Sequence, residues 1–135
     1  MNFKRTVIKE LVKLSKAFPD IIVSNDLRFI LIPKFGPLPP QYNTKYTRLL
    51  IELPNPSTSG WEYIEPKAYL DSRVKIVVNG VELESIHLAR ALTPTEIQRW
   101  GFVYCCMRLN RWNWREMSLL DFISLLVEWL EGLEE

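Results

Sequence analysis

Residues 118–130 of this chain read Ser-Leu-Leu-Asp-Phe-Ile-Ser-Leu-Leu-Val-Glu-Trp-Leu, and this stretch decides much of the fold. Ser118 and Asp121 have the spacing of a capping box, with Asp in place of the usual Glu, which predicts that a helix begins here. The residues that follow are apolar on nearly every side of such a helix. Because an apolar helix of this kind must pack against neighbours on several sides, the sequence predicts a buried C-terminal helix.

A second helix, amphipathic, is predicted at the other end of the chain. Its apolar residues recur at helical spacing until Pro19 ends the pattern, and they are Phe3, Val7, Ile8, Leu11, Leu14 and Phe18. Basic residues dominate the same segment, where Lys4, Arg5, Lys9, Lys13 and Lys16 are opposed by Glu10 alone. A basic helix face is usually a solvated surface, and the functional alternative is a docking surface for an acidic protein.

Strand-like segments fill the region between the two helices. Apolar extended runs predict strands at 21–23, 27–32, 48–53 and 63–70, with Pro66 confining the last to an edge or irregular strand. Asn79-Gly80 predicts a hairpin, because this pair suits the positive φ angles of a type I′ turn. Thr93-Pro94 predicts the start of a short helix, and 102–107 is compatible with a strand or a buried loop.

The expected fold class is α+β within one domain spanning residues 1–135. Its order is an N-terminal helix, an antiparallel β-meander of about four strands, an irregular segment that holds the two cysteines, and the buried C-terminal helix.

Composition narrows the functional classes. Hydrophobic residues make up 47% of the chain, which indicates a real core, and the net charge of +1 argues against nucleic acid as the main partner. No apolar run is long enough to span a bilayer, so no membrane partner is expected. Cys105 and Cys106 are adjacent, which excludes a disulfide framework and predicts free thiols in a reducing cytoplasm. Two cysteines and the only histidine, His87, cannot close a tetrahedral zinc site alone, so no metal is expected. The sequence has no Gly-rich phosphate-binding loop, and no cofactor is expected.

Three stretches together resemble the ubiquitin-conjugating (UBC) family. Residues 8–19 look like that family's first helix, which runs into a proline before the first strand. Residues 50–54 followed by 65–70 look like its third strand, proline turn and fourth strand. Cys105-Cys106-Met107, followed by Trp112, Trp114 and an apolar helix, resembles the family's catalytic cysteine with the tryptophan and helix beyond it. The segment Val127-Glu128-Trp129-Leu130 near the C-terminus and the compact size most resemble the bacterial relatives that are encoded in cyclic-oligonucleotide anti-phage signalling (CBASS) operons.

The resemblance implies a thioester-forming acyl transferase. One of Cys105 and Cys106 would carry the C-terminus of a protein as a thioester and pass it to an amine. In the bacterial relatives that protein is a cGAS-like nucleotidyltransferase, and in the wider family it is a ubiquitin-like protein. The family's first helix docks the activating enzyme, so Lys4, Arg5 and Lys9 are predicted to bind that enzyme or, where none exists, the nucleotidyltransferase.

The sequence leaves the choice of nucleophile open. Spacing to Trp114 favours Cys106, whereas spacing to Trp112 favours Cys105. On an extended segment neighbouring side chains face opposite ways, so one thiol is expected to be exposed and the other buried. The alternative is that both are small core residues, since unpaired cysteines are among the most buried residue types.

The chain also departs from the family pattern. It lacks the His-Pro-Asn motif before the cysteine, whose Asn is usually assigned to the oxyanion, so the oxyanion donor is unassigned. His87 is a candidate base or tail-orienting group, and otherwise a structural residue. Trp112 is a candidate substrate-groove residue, and otherwise braces the helix against the sheet. The missing His-Pro-Asn motif favours an alternative function, a catalytically inactive UBC-like or RWD-like interaction module, whereas the spacing from cysteine to tryptophan favours the enzyme. A third hypothesis, that the protein is a cysteine hydrolase, is supported only by the presence of Cys and His.

Overall fold

The computed structural model describes residues 1–83 and 88–132. The helices in these ranges are α1 (Phe3–Ala17), α2 (Thr95–Arg99) and α3 (Leu119–Glu131), with 3-10 turns at Trp61–Tyr63 and Arg90–Leu92. The strands are β1 (Ile22–Val23), β2 (Phe29–Phe35), β3 (Thr47–Glu52), β4 (Lys67–Asp71), β5 (Ile76–Val78), β6 (Val81–Leu83), β7 (Leu88–Ala89) and β8 (Phe102–Cys105). None of the helices in the described ranges has the length and hydropathy needed to cross a bilayer.

The main sheet is antiparallel and six-stranded, in the order β1-β2-β3-β4-β8-β7. This confirms the α+β class with a helix at each end. The sheet is larger than the predicted meander of about four strands, because β8 pairs with β4 and β7 pairs with β8. The segment expected to be irregular therefore begins as a regular strand. Its apolar residues Val103 and Cys105 extend the buried face of the sheet beyond Leu70.

Local turn chemistry accounts for two further details. The predicted hairpin is confirmed between β5 and β6, where Asn79 and Gly80 have φ angles of 51° and 79°. The predicted strand at 63–70 is shorter, and β4 begins only at Lys67. Pro66 has no N–H to donate to a neighbouring strand, so regular pairing starts after it.

The core lies between one face of the sheet and helices α1 and α3. The predicted burial of α3 is confirmed, and its fully or nearly buried residues are Leu119, Phe122, Ile123, Leu126 and Leu130. The capping box is confirmed as well. Ser118 Oγ accepts from the Asp121 amide at 3.1 Å, and Asp121 Oδ2 accepts from the Ser118 amide at 2.8 Å. Glu10 of α1 adds a third contact, accepting from the Leu119 amide at 2.8 Å.

The opposite face of the sheet carries a second, smaller apolar cluster. Strand register places Leu31, Leu50, Tyr69 and Tyr104 side by side across four strands. Ile97 of α2 packs on this cluster together with Phe102. The sheet therefore has the main hydrophobic core on the face under α1 and α3 and a smaller apolar cluster under α2 on the other face.

Candidate functional site

The two cysteines lie on opposite faces of the sheet, as strand alternation predicts. Cys105 is the last residue of β8, pairs with Leu88 of β7, and is 1% exposed within the main core. Cys106 follows the strand and is half-buried on the other face. The structure therefore distinguishes two thiols that spacing to the tryptophans could not.

Burial also changes the chemistry of the Cys105 thiol. Burial raises the pKa of the Cys105 thiol far above its ordinary range, and a contact with the Leu70 backbone only partly opposes this. A thiol that cannot ionise is a poor nucleophile, because the thiolate is the reacting species. Cys105 has the properties of a small core residue, and Cys106 is the thiol that a reagent or a substrate can reach.

Cys106 lies in a groove of about 350 Å³, which we call the Cys106 groove. Three chain segments contribute to it: β4 with the residues just before it, the turn ahead of α2, and β8 with the residues just after it. The lining residues are Glu65, Lys67, Tyr69, Leu92, Pro94, Tyr104, Cys106, Met107 and Arg108. The groove thus places a thiol among one carboxyl group, two basic side chains and two tyrosines.

Strand pairing and one buried threonine hold the groove together. Tyr69 and Tyr104 are register partners, with ring centroids 5.6 Å apart, and the Tyr69 hydroxyl donates to Glu52 Oε1 at 2.7 Å. Thr93 is buried, accepts from the Tyr104 amide at 2.8 Å and donates to the Ala89 carbonyl at 2.9 Å. These bonds fix the segment that carries Leu92 and Pro94 beside β8.

Three acidic groups of the groove, those of Tyr69, Tyr104 and Glu65, have pKa values raised above their ordinary values, which favours their neutral forms. Burial raises the pKa of the Tyr104 hydroxyl, and the nearby Cys106 and Glu65 add to the effect. Burial also raises the pKa of the Tyr69 hydroxyl, reinforced by its bond to Glu52. The pKa of Glu65 is raised by burial too, against weaker opposition from the Leu109 backbone and from Lys67. Shifted groups clustered around a nucleophile are typical of functional sites.

The other predicted site residues lie elsewhere. Lys4, Arg5 and Lys9 are exposed on α1. Arg5 and Lys9 line a separate groove between α1 and the start of α3, which shares no lining residue with the Cys106 groove. His87 lies outside the described residues. No group of three His, Cys, Asp or Glu side chains suited to a metal ion occurs within residues 1–83 and 88–132.

Trp112 is placed in the core rather than in a substrate groove. It is 6% exposed, and its ring lies 5.0 Å from that of Trp114 and 6.0 Å from that of Phe122 on α3. Trp114 in turn donates from Nε1 to the Ile64 carbonyl at 2.8 Å. This placement matches the bracing alternative, and it leaves little of the Trp112 side chain for a partner to contact.

Sequence reasoning did not find most of the groove. Glu65, Lys67 and Tyr69 lie far from the cysteines in sequence and reach them only through the pairing of β4 with β8. One signal was available. Tyr104, Cys106 and Arg108 alternate with apolar residues, as do Glu65, Lys67 and Tyr69, and this period of two marks one face of each strand.

Comparisons with protein-family models, with curated proteins and with solved structures find no match to this chain.

Proposed function

We propose that this protein is a UBC-like transferase that carries the C-terminus of another protein as a thioester on Cys106 and passes it to an amine. The observation that carries the proposal is the position of Cys106. This residue is half-buried on the face of the sheet opposite α1 and α3, in a groove that polar and ionisable side chains line. Cys105, the other candidate, is enclosed in the core. The order of α1, the β1–β4 part of the sheet, the cysteine segment that includes β8, and the buried helix α3 supports the UBC-like part of the proposal.

The chemistry requires an acyl donor that already holds its carboxyl group as a thioester. Cys106 Sγ attacks the carbonyl carbon, a new C–S bond forms, and the donor's thiolate leaves with the proton that Cys106 gave up. An amine then displaces Cys106 to give an amide. A thioester suits both steps, because sulfur is at once a good nucleophile and a good leaving group.

The groove contains two positively charged side chains, whereas the family uses an Asn to stabilise the oxyanion. Lys67 and Arg108 both line it, and both are exposed. Negative charge develops on the carbonyl oxygen during each acyl transfer, and nearby cations stabilise it. These two side chains are the groups in the described groove that we assign to this role.

The resemblance to the bacterial relatives is the basis for the carried protein and the cellular process that we propose. The protein carried is a cGAS-like nucleotidyltransferase, or else a ubiquitin-like protein, and the process is anti-phage defence in the cytoplasm. A separate activating enzyme is needed only where the carried protein does not arrive as a thioester.

Intact-mass spectrometry of the protein, co-purified with the product of the neighbouring gene, tests the proposal. We expect an adduct that added thiol removes, present in the natural sequence and in Cys105→Ala and absent in Cys106→Ala. The two variants are matched because each removes one thiol from neighbouring positions. If every sample lacks the adduct while the partner still co-purifies, the protein is an inactive interaction module.

The exposed basic face of α1 is the surface we propose for docking the partner. Reversing charge in Lys4→Glu/Arg5→Glu is expected to weaken partner capture at low salt by about tenfold or more, with a smaller effect at high salt, because exposed charges are screened. Lys34→Glu/Lys45→Glu is the matched control, since both lysines are exposed and lie beside Tyr46 on another surface. Equal capture by both double variants, measured by titration at two salt concentrations, would remove α1 from the docking surface.

A further inference from the structure

The Cys106 groove contains one carboxyl group, that of Glu65, and part of it lacks a partner. Glu65 as a residue is half-buried, but its Oε2 is shielded from water and accepts no hydrogen bond from the described residues. An ionised oxygen in that position is costly, because nothing replaces the water it has lost. The fold tolerates this cost in the one groove that holds an accessible thiol.

The titratable and charged groups that line the groove with Glu65 come from two of its three segments. Lys67 and Tyr69 come from β4, and Tyr104, Cys106 and Arg108 from β8 and the residues beyond it, whereas the turn ahead of α2 contributes only the uncharged Leu92 and Pro94. Burial is the largest influence on Glu65, and it raises the pKa of the carboxyl above its ordinary value. A carboxyl shifted in this direction can take up and release a proton closer to neutral pH.

We propose that Glu65 accepts the proton from the amine that attacks the Cys106 thioester, an inference that rests on the proposed function. The amine nitrogen forms a C–N bond to the thioester carbonyl carbon, the C–S bond breaks, and Cys106 Sγ leaves with the bonding electron pair. The proton lost by nitrogen passes to the Glu65 carboxylate and then to the Cys106 thiolate. The products are an amide and the thiol.

The other groups of the groove are unsuited to this step. Lys67 and Arg108 carry donors and no acceptor in their charged forms. The Tyr69 hydroxyl already donates to Glu52, and the raised pKa of Tyr104 keeps its hydroxyl protonated. Among the described lining residues, Glu65 is the one with an anionic acceptor.

The test separates loading of Cys106 from transfer. Cys106 is loaded from a synthetic peptide benzyl thioester, and the loss of the adduct is then followed by intact mass in a single turnover with either lysine or hydroxylamine. The strongly basic nitrogen of lysine holds its proton after it attacks and needs a base to remove it, whereas the weakly basic nitrogen of hydroxylamine releases its proton to water. We expect Glu65→Gln to load normally, to transfer to lysine about 10²-fold more slowly, and to react with hydroxylamine within about threefold of the natural sequence.

Glu96→Gln is the matched control, because Glu96 is exposed on α2 and is not a lining residue of the groove. Normal loading with unchanged lysine transfer in Glu65→Gln would overturn the role of Glu65 and leave the thioester proposal standing. Failure of the natural sequence to load at Cys106 would overturn both. An equal fall with lysine and hydroxylamine would mean that Glu65 only maintains the groove, which also overturns the proposal.

A second measurement on the natural sequence covers the case in which Glu65→Gln does not fold. The rate of lysine transfer is divided by the concentration of unprotonated amine and followed from about pH 8 to about pH 4, which lies below the ordinary pKa of a glutamate. We expect this corrected rate to fall as the pH drops through the pKa of Glu65, because the acceptor becomes protonated. A corrected rate that does not change with pH would overturn the proposal.

Discussion

Iodoacetamide added to the folded protein is expected to alkylate Cys106 at least about 10³-fold faster than Cys105. Cys105 is 1% exposed, so a reagent reaches it only when the surrounding structure opens. Opening of a domain core costs about 5 kcal/mol or more, which leaves less than about one molecule in 10³ open at any moment. The raised pKa of the Cys105 thiol slows the reaction further.

Single-thiol variants make this ratio measurable, because adjacent cysteines are hard to distinguish in one peptide. The alkylation rate of Cys105→Ala reports Cys106, and that of Cys106→Ala reports Cys105. In guanidinium chloride the two variants should react at similar rates, which controls for intrinsic reactivity. Similar rates under native conditions would mean that β8 is not held in the sheet as described, and the choice of Cys106 as nucleophile would lose its basis.

Replacing Asp71 by Asn is expected to lower the free energy of unfolding by about 3 kcal/mol. Asp71 is 5% exposed and holds two guanidinium groups: Arg48 Nε lies 3.0 Å and Arg73 Nη2 lies 2.8 Å from its Oδ2. Arg48 also stacks at 4.3 Å from the Phe102 ring centroid, so the cluster ties β3 and β4 to β8. The loss is below that for a fully enclosed ion pair, because Arg73 is largely exposed and regains water.

The same carboxylate predicts how stability depends on pH. The hydrogen bonds from Arg73, helped by those from Arg48 and opposed by burial, hold the pKa of Asp71 well below its ordinary value of 3.8. A depressed pKa in the folded state contributes stability above the ordinary value, and the contribution is lost as the pH falls through the folded pKa. The stability difference between the natural sequence and Asp71→Asn should therefore shrink below about pH 4.

Denaturant unfolding at several pH values measures both effects. Asp20→Asn is the control, since Asp20 is exposed after α1 and forms none of the described ion pairs. A difference for Asp71→Asn that stays constant down to strongly acidic pH would contradict the ionised cluster.

Local patterns predicted the elements whose causes are local. The Ser118–Asp121 capping box, the Asn79-Gly80 turn and the stop at Pro19 each depend on residues within a few positions, and each is found in the structure. The fifth and sixth strands of the sheet, β8 and β7, depend instead on long-range pairing, of residues 69–71 with 102–104 and of residues 88–89 with 104–105. No local signal specifies such a pairing, so the sheet was predicted too small.

The candidate site was likewise predictable only in its local part. Both cysteines were found from the sequence, but the choice between them depends on which face of the sheet meets α1 and α3. Val103 and Cys105 share the face of Leu70, which places Cys106 on the other side with Tyr104. Glu65 was not predicted because its significance arises only from its position beside that groove and from its unpaired oxygen.

The placement of neighbouring thiols on opposite faces also limits how many acyl groups one molecule can hold. An acyl group on Cys106 cannot migrate to the adjacent sulfur, because Cys105 points into the core on the far side of the backbone. For the same reason mild oxidants cannot close the pair into a disulfide without turning one side chain through the sheet. The chain thus has the stoichiometry of a single-cysteine carrier although its sequence contains two.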